Sequence, residues 1–236
     1  MQVRLMLTCL CDAFFGEVGI ATVRVLEAIG CEVEFPEDQT CCGQPPFNAG
    51  DWKESRRVAG HWRRVFAGGG VVVVPSSSCT AMIRHGLHLM DPDGPQPPPT
   101  FELAEFLFSQ GIRSWPPSGR GLPAVRFAYH RACHGRAIGL GDAPERLLRS
   151  IPGVEVVPIE QAEQCCGFGG AFSASHGSIS SGIGMEKLQC VMEAGVDLLV
   201  SGDMGCLMHL NGLIERHNLP LRTKHYAEIL AEALDG

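Results

Sequence analysis

The sequence predicts an α/β protein of two tandem, similar halves, each built on a parallel sheet, and three observations carry that prediction. First, one cysteine spacing occurs twice. Thirty-one residues separate Cys9 from the doublet Cys41 and Cys42, and 31 separate Cys133 from the doublet Cys165 and Cys166, an offset of 124. Second, the likeness runs past the cysteines, because ELAEFL at 102–107 matches HYAEIL at 225–230 with an offset of 123, as an internal duplication requires. Third, strand-like and helix-like segments alternate within each copy, the pattern of a parallel sheet with helices on both faces.

Taken in order, residues 3–7 (VRLML) read as a buried strand entering the first cysteine loop. Val18, Thr22, Val25 and Ile29 keep helical spacing up to a terminating Gly30. The short strand EVEF leads to the first CCG loop, and Asp51 with Glu54 forms a capping-box pattern that opens a helix through WKESRRVAGHWRRVF. VVVV then reads as a buried parallel strand with Cys79 after it. The second copy predicts a strand VRFAYH, a helix PERLLRSI capped by Asp142, a strand VEVV, the second CCG loop, a helix through MEKLQCVMEAG, and a strand DLLV before Cys206. Each half is therefore expected to be Rossmann-like, with cysteine loops at the carboxyl ends of strands, where open α/β sheets place their ligands.

The halves are expected at 1–113 and 124–236, with SWPPSGRGLP supplying the link over 114–123. DPDGPQPPPT at 91–100 reads as a surface loop, since proline removes donors and holds the backbone extended. A hydrophobic content of 45% in 236 residues supplies a core, and a net charge of −7 argues against nucleic-acid binding. No apolar run is long enough to span a bilayer and the N-terminus has no signal-peptide pattern, so a cytoplasmic location is expected. Eleven cysteines in such a chain point to metal or redox chemistry rather than to a disulfide framework. GFGG at 167–170 lacks the third glycine of a dinucleotide fingerprint, with Phe172 in its place, and no Walker loop is present.

Adjacent side chains diverge, so two neighbouring sulfurs can hardly share one small ion at about 2.3 Å each. They can grip different irons of one cluster, whose usual ligands are four cysteine thiolates. The repeat assigns one set per half, Cys9, Cys41, Cys42 and Cys79, then Cys133, Cys165, Cys166 and Cys206. Gly43 and Gly167 would let the backbone approach such a cluster and direct amides at its sulfides. A structural zinc held by thiolates is the alternative, with His209 three residues after Cys206 as a further donor, although no C-x-x-C knuckle is present. Cys31 and Cys190 read as core and Cys11 is ambiguous. His130 and His134 flank Cys133; a satisfied or solvent-facing histidine is the default, and a role beside the cluster, assigned to His134, is the sharper reading. No catalytic residue is assigned.

TCLCDAFF, TCCGQPPFNAG, CCGFGGAFS and GDMGCLMH resemble the CCG-domain (cysteine-rich domain) proteins over essentially the whole chain, and most of all the lactate-utilization branch of that family. The family includes the catalytic subunit of heterodisulfide reductase and iron–sulfur subunits of glycolate and glycerol-3-phosphate oxidation systems. The resemblance implies an iron–sulfur oxidoreductase subunit of a multi-subunit complex that oxidises L-lactate, a 2-hydroxy acid, to pyruvate. It implies a ferredoxin-type partner subunit and one further lactate-utilization subunit, and one cluster per half, [4Fe–4S] in composition and either cubane or noncubane. The heterodisulfide reductase pattern closes each motif with C-x-x-C; here Met82 and His209 stand at the closing positions, which weakens the thiol–disulfide reductase alternative.

Overall fold

The computed structural model describes residues 1–117 and 121–235, so residues 118–120 of the expected link and Gly236 of the expected second half lie outside the described residues. The first half runs β1 (Gln2–Leu5), α1 (Cys9–Phe14), α2 (Gly16–Ala28), β2 (Glu32–Glu34), α3 (Gln44–Asn48), α4 (Trp52–Val65), β3 (Val71–Val74) and α5 (Ser77–Ala81). A π-helical turn (Met82–Gly86) carries α5 into α6 (Leu87–Met90), and β4 (Thr100–Glu102) and α7 (Leu103–Ser109) follow. The second half runs β5 (Val125–His130), α8 (Cys133–Ala137), α9 (Ala143–Arg149), β6 (Val154–Val157), α10 (Ala171–Ser175) and α11 (Gly177–Glu193). It ends with β7 (Leu198–Ser201), α12 (Met204–His217), β8 (Arg222–His225) and α13 (Tyr226–Asp235).

Both sheets are parallel, ordered β2-β1-β3-β4 and β6-β5-β7-β8. In each, the chain first winds one way from the central strand and then the other, so a topological switch point lies between β1 and β3 and another between β5 and β7. Strand β4 is absent from the sequence expectation, since TFE is too short to carry a strand pattern of its own, whereas a strand is expected just before His225, where β8 lies. They form because the first strand of that half leaves one edge of β3 or β7 open.

Side-chain alternation along the central strands separates three cores. Val72 and Val74 face α4, where Trp62 and Phe66 pack with Met6, while Val73 faces the opposite way. In the second half Ala128 and Leu199 face α11 and α12, while Phe127, Tyr129, Leu198 and Val200 turn inward. The inward faces of both sheets share one core with Val25 and Leu26 of α2, Phe106 and Leu107 of α7, Leu147 and Leu148 of α9, and Ile229 and Leu230 of α13. Trp115, within the expected link, is buried in this core, and its indole N–H donates to the Leu230 carbonyl at 2.7 Å.

The duplicated ELAEFL and HYAEIL segments place the same cap at the start of α7 and α13. Glu105 accepts from the Glu102 amide at 3.3 Å, and Glu228 accepts from the His225 amide at 2.8 Å. Each first residue then accepts from the helix two residues on, Glu102 from the Ala104 N–H at 2.7 Å and the His225 ring from the Ala227 N–H at 3.1 Å. Two expected caps are altered. Asp51 accepts from Glu54 at 3.1 Å, but the Glu54 carboxylate turns to Arg57 and leaves the box half made. Asp142 makes no side-chain cap at all; Pro144 within the first turn of α9 presets the helix without it.

The Tyr226 hydroxyl crosses between the halves to donate to Glu102 at 2.6 Å, and both side chains are fully buried. Burial raises the Glu102 pKa from 4.5 to about 7, against the lowering effect of its hydrogen bonds. An acid whose folded pKa is raised contributes its stability in full below the unfolded value and loses it as pH climbs through the folded one. The unfolding free energy of the wild type relative to Glu102→Gln should therefore fall by about 3 kcal/mol between pH 4.5 and 7. Denaturant titrations of both proteins across that range check it; a difference that stays flat would contradict the buried-acid account.

A candidate metal centre between the two halves

Four of the eight repeat-defined cysteines lie on first turns of helices rather than in loops. Cys9 opens α1 and Cys133 opens α8, after the carboxyl ends of β1 and β5. Cys79 and Cys206 stand in the first turns of α5 and α12, after β3 and β7. These four thus sit at the two switch points. The doublets come from the edge strands, in loops between β2 and α3 and between β6 and α10.

The two CCG loops have the same construction. Gly43 and Gly167 both adopt φ of 91°, a left-handed conformation that favours glycine. That turn lets the Gly43 N–H donate to the Cys41 sulfur at 3.4 Å and the Gly167 N–H to the Cys165 sulfur at 3.3 Å. The next helix clamps each turn: Ser55 donates to the Gly43 carbonyl at 2.8 Å and Ser180 to the Gly167 carbonyl at 2.8 Å. A Cβ at Gly167 would stand 2.4 Å from the Ser180 carbonyl oxygen.

Within each half the thiols converge. Sulfur separations are 3.6 Å for Cys9 and Cys41, 3.4 Å for Cys42 and Cys79, and 2.9 Å for Cys166 and Cys206. Cys133 and Cys165 shift each other's pKa in opposite directions, as Cys9 and Cys41 do in the first half. Hydrogen bonds from Cys42 and Cys9 lower the Cys41 pKa to about 3, and bonds from Cys133 and Cys166 lower that of Cys165 to about 2. The donating partners Cys9, Cys42, Cys133 and Cys166 are raised in turn. Cys41 and Cys165 are thus the members of their knots held toward the thiolate form, and thiolates are the form that binds metal.

All eight cysteines line one cavity of about 390 Å³ between the halves. Asp203 fixes its geometry. One carboxylate oxygen caps α12, accepting from the Gly205 N–H at 3.1 Å and the Cys206 N–H at 3.4 Å. The other crosses to the first half, accepting from the Ser78 N–H at 2.9 Å and the Ser76 hydroxyl at 3.4 Å. Ser76 is the first-half counterpart of Asp203 and accepts from the Cys79 N–H at 3.4 Å. Sequence reasoning passed over both residues, although each stands three positions before its cysteine, where an N-cap belongs.

His134 lies on the cavity wall, with Nδ1 3.6 Å from the Cys133 sulfur and Nε2 3.3 Å from Gln44 of the first half. Cys11, Cys31 and Cys190 are buried away from the cavity lining, and the Cys11 thiol donates to the Phe15 carbonyl at 3.4 Å. His209, the added donor of the zinc alternative, turns to Ser180, 3.4 Å from its hydroxyl, and does not line the cavity. His130 is fully buried, and among the described residues neither ring nitrogen has a hydrogen-bond partner. Burial lowers its pKa to about 3, so the ring is neutral. Its donor atom and the sulfurs of Cys166 and Cys206 lie within 4.8 Å of one another. Leaving such a ring unpaired costs about 1–3 kcal/mol.

The repeated thiol knots are matched by sequence comparison, in which the CCG cysteine-rich domain aligns with residues 3–84 and again with 127–211. The chain belongs to the CCG cysteine-rich domain family. Its relatives include Lactate utilization protein A of Geobacillus kaustophilus (strain HTA426), 43% identical, and that of Geobacillus thermodenitrificans (strain NG80-2), 42% identical. Each alignment covers 98% of this chain and 98% of the relative. The protein of the same name from Anoxybacillus flavithermus is 41% identical over 98% of this chain and 99% of its own. No described helix of this CCG protein is long and apolar enough to cross a membrane.

The clamped glycine turn predicts a contrast between two alanine substitutions. Gly167→Ala forces a side chain into the left-handed region and against the Ser180 carbonyl, and should lower stability by about 1–3 kcal/mol. Gly182→Ala, in α11 with open space around it, should raise stability by up to about 1 kcal/mol. Chemical denaturation of the two variants beside the parent protein measures both.

Proposed function

We propose that the chain is the iron–sulfur redox subunit of a multi-subunit complex that oxidises L-lactate to pyruvate. The observation that carries this reading is the pair of four-thiol knots, each containing an adjacent doublet, that face one cavity. The near full-length likeness to proteins named for lactate utilization supports the substrate.

In this reading Cys9, Cys41, Cys42 and Cys79 hold one cluster, and Cys133, Cys165, Cys166 and Cys206 hold the other. The donor set fits: four sulfurs per half, two of them from consecutive residues, suit a polynuclear centre better than a single ion. An iron–sulfur cluster, when bound, supplies one-electron transfer. The chain's own residues prepare for it. The Gly43 and Gly167 amides donate to cysteine sulfur and so favour the thiolate form, and donation to ligand sulfur raises the potential of a centre. Asp203 holds the helices that carry Cys79 and Cys206 in register. His134, between Cys133 and Gln44, is placed to stabilise charge at the cavity wall.

Converting lactate to pyruvate releases two electrons and two protons, so one-electron centres need a second carrier to receive what they pass on. A ferredoxin-type partner subunit is the proposed recipient, and a further lactate-utilization subunit completes the complex in the cytoplasm.

Anaerobically purified protein should be brown and contain iron with acid-labile sulfide; stoichiometric zinc without sulfide would overturn the assignment. Cys42→Ser and Cys166→Ser should each remove about half of the bound iron, since each disables one of two sets. Cys190→Ser, away from the cavity, should leave the iron content near that of the parent protein. Equal losses in all three variants would refute the ligand assignment.

A further inference from the structure

The two halves differ beneath their cysteines. Three residues before its first cysteine the first half has Met6, and the second half has His130. Met6 is satisfied by its own half, because the Trp62 indole N–H donates to its sulfur at 3.1 Å in the outer core. With the one-residue shift that aligns Ser55 with Ser180, the counterpart of Trp62 is Lys187. An apolar, hydrogen-bonded pair in one half thus becomes a buried imidazole and a buried ammonium in the other. These two do not satisfy each other: the Lys187 ammonium donates to the Gln161 carbonyl, and both nitrogens of His130 lack a partner among the described residues.

A protein interior that keeps an unpartnered ring has a reason to keep it. Two donors on one metal atom, at about 2.0–2.3 Å each, stand no more than about 4.6 Å apart. The His130 nitrogen and the Cys166 and Cys206 sulfurs lie within 4.8 Å of one another, so a small movement brings the ring onto a metal atom that either sulfur holds. Neutral imidazole is a common metal ligand, and no proton need leave it to bind.

We propose that His130 is a nitrogen ligand of the metal centre in the second half, so that the two halves carry chemically unequal centres. This rests on the reading of the cysteine sets as cluster ligands. Met6 and its indole partner give the first half no such nitrogen.

The test uses the full chain, purified anaerobically from cells grown with 15N-histidine or with unlabelled histidine, reduced, and studied by pulsed paramagnetic resonance. The expected result is a directly bonded nitrogen coupling that changes with the label, disappears in His130→Met and disappears in His130→Cys while iron content holds. A redox titration should resolve two centres, with only one of them shifted in the variants. If iron and sulfide are present but no bonded histidine nitrogen is seen in the parent protein, or the coupling survives in His130→Met, the ligand assignment fails and the cluster reading stands. If neither iron nor sulfide is present, both fail together.

Discussion

The carboxylate of Asp203 is the point on which the site turns. It is almost fully buried and accepts four hydrogen bonds, two from the helix that carries Cys206 and two from residues at the start of the helix that carries Cys79. A buried charge is tolerated where donors surround it, and the donors here are three amides at two helix starts and the Ser76 hydroxyl. The Ser77 amide adds a main-chain link to the Gly202 carbonyl at 3.4 Å. One side chain therefore sets both the internal geometry of each switch point and the distance between them.

The cavity is also a consequence of how the cores are divided. Each half buries one face of its sheet under its own helices but turns the other toward its twin, where α2, α7, α9 and α13 fill a common interior. A half alone would expose that interior face, with Phe106, Leu107, Leu148 and Leu230 among the residues left uncovered. Exposed apolar area of that kind opposes independent folding. The duplication thus behaves like a two-fold dimer joined in one chain, with the carboxyl ends of both sets of central strands brought to the same side. Glu102 and Tyr226 hold the opposite members of the repeat across the same divide.

Much of this could be read from the sequence, and the reason is covalent. Cysteine spacing survives as a pattern in one dimension, so the two sets and the two CCG loops could be placed by counting along the chain. The long helices and the strands VVVV and VRFAYH could be read because their apolar residues outnumber the alternatives within a short window. Strand β4 could not, since its pairing depends on an edge supplied by distant residues. Asp203 and Ser76 carried a local signal as N-caps, but their link across the halves has no counterpart in the chain order. His130 reads along the sequence as an ordinary histidine beside a cysteine; what sets it apart is burial without a partner, a property of three dimensions.

Duplication explains why the two halves can be alike in construction and unlike in chemistry. The parts that hold shape are repeated: the glycine turn at φ of 91°, the serine that clamps it, the caps on α7 and α13. The parts beneath the sulfurs are free to differ, because the outer cores of the two halves do not touch and a change in one leaves the other's packing alone. The replacement of Met6 and Trp62 by His130 and Lys187 places the polarity of the second half directly under Cys166 and Cys206, where Lys187 also lies close enough to feel the thiols. Two copies of one scaffold can in this way keep a common cavity while giving each set of sulfurs a different electrostatic floor.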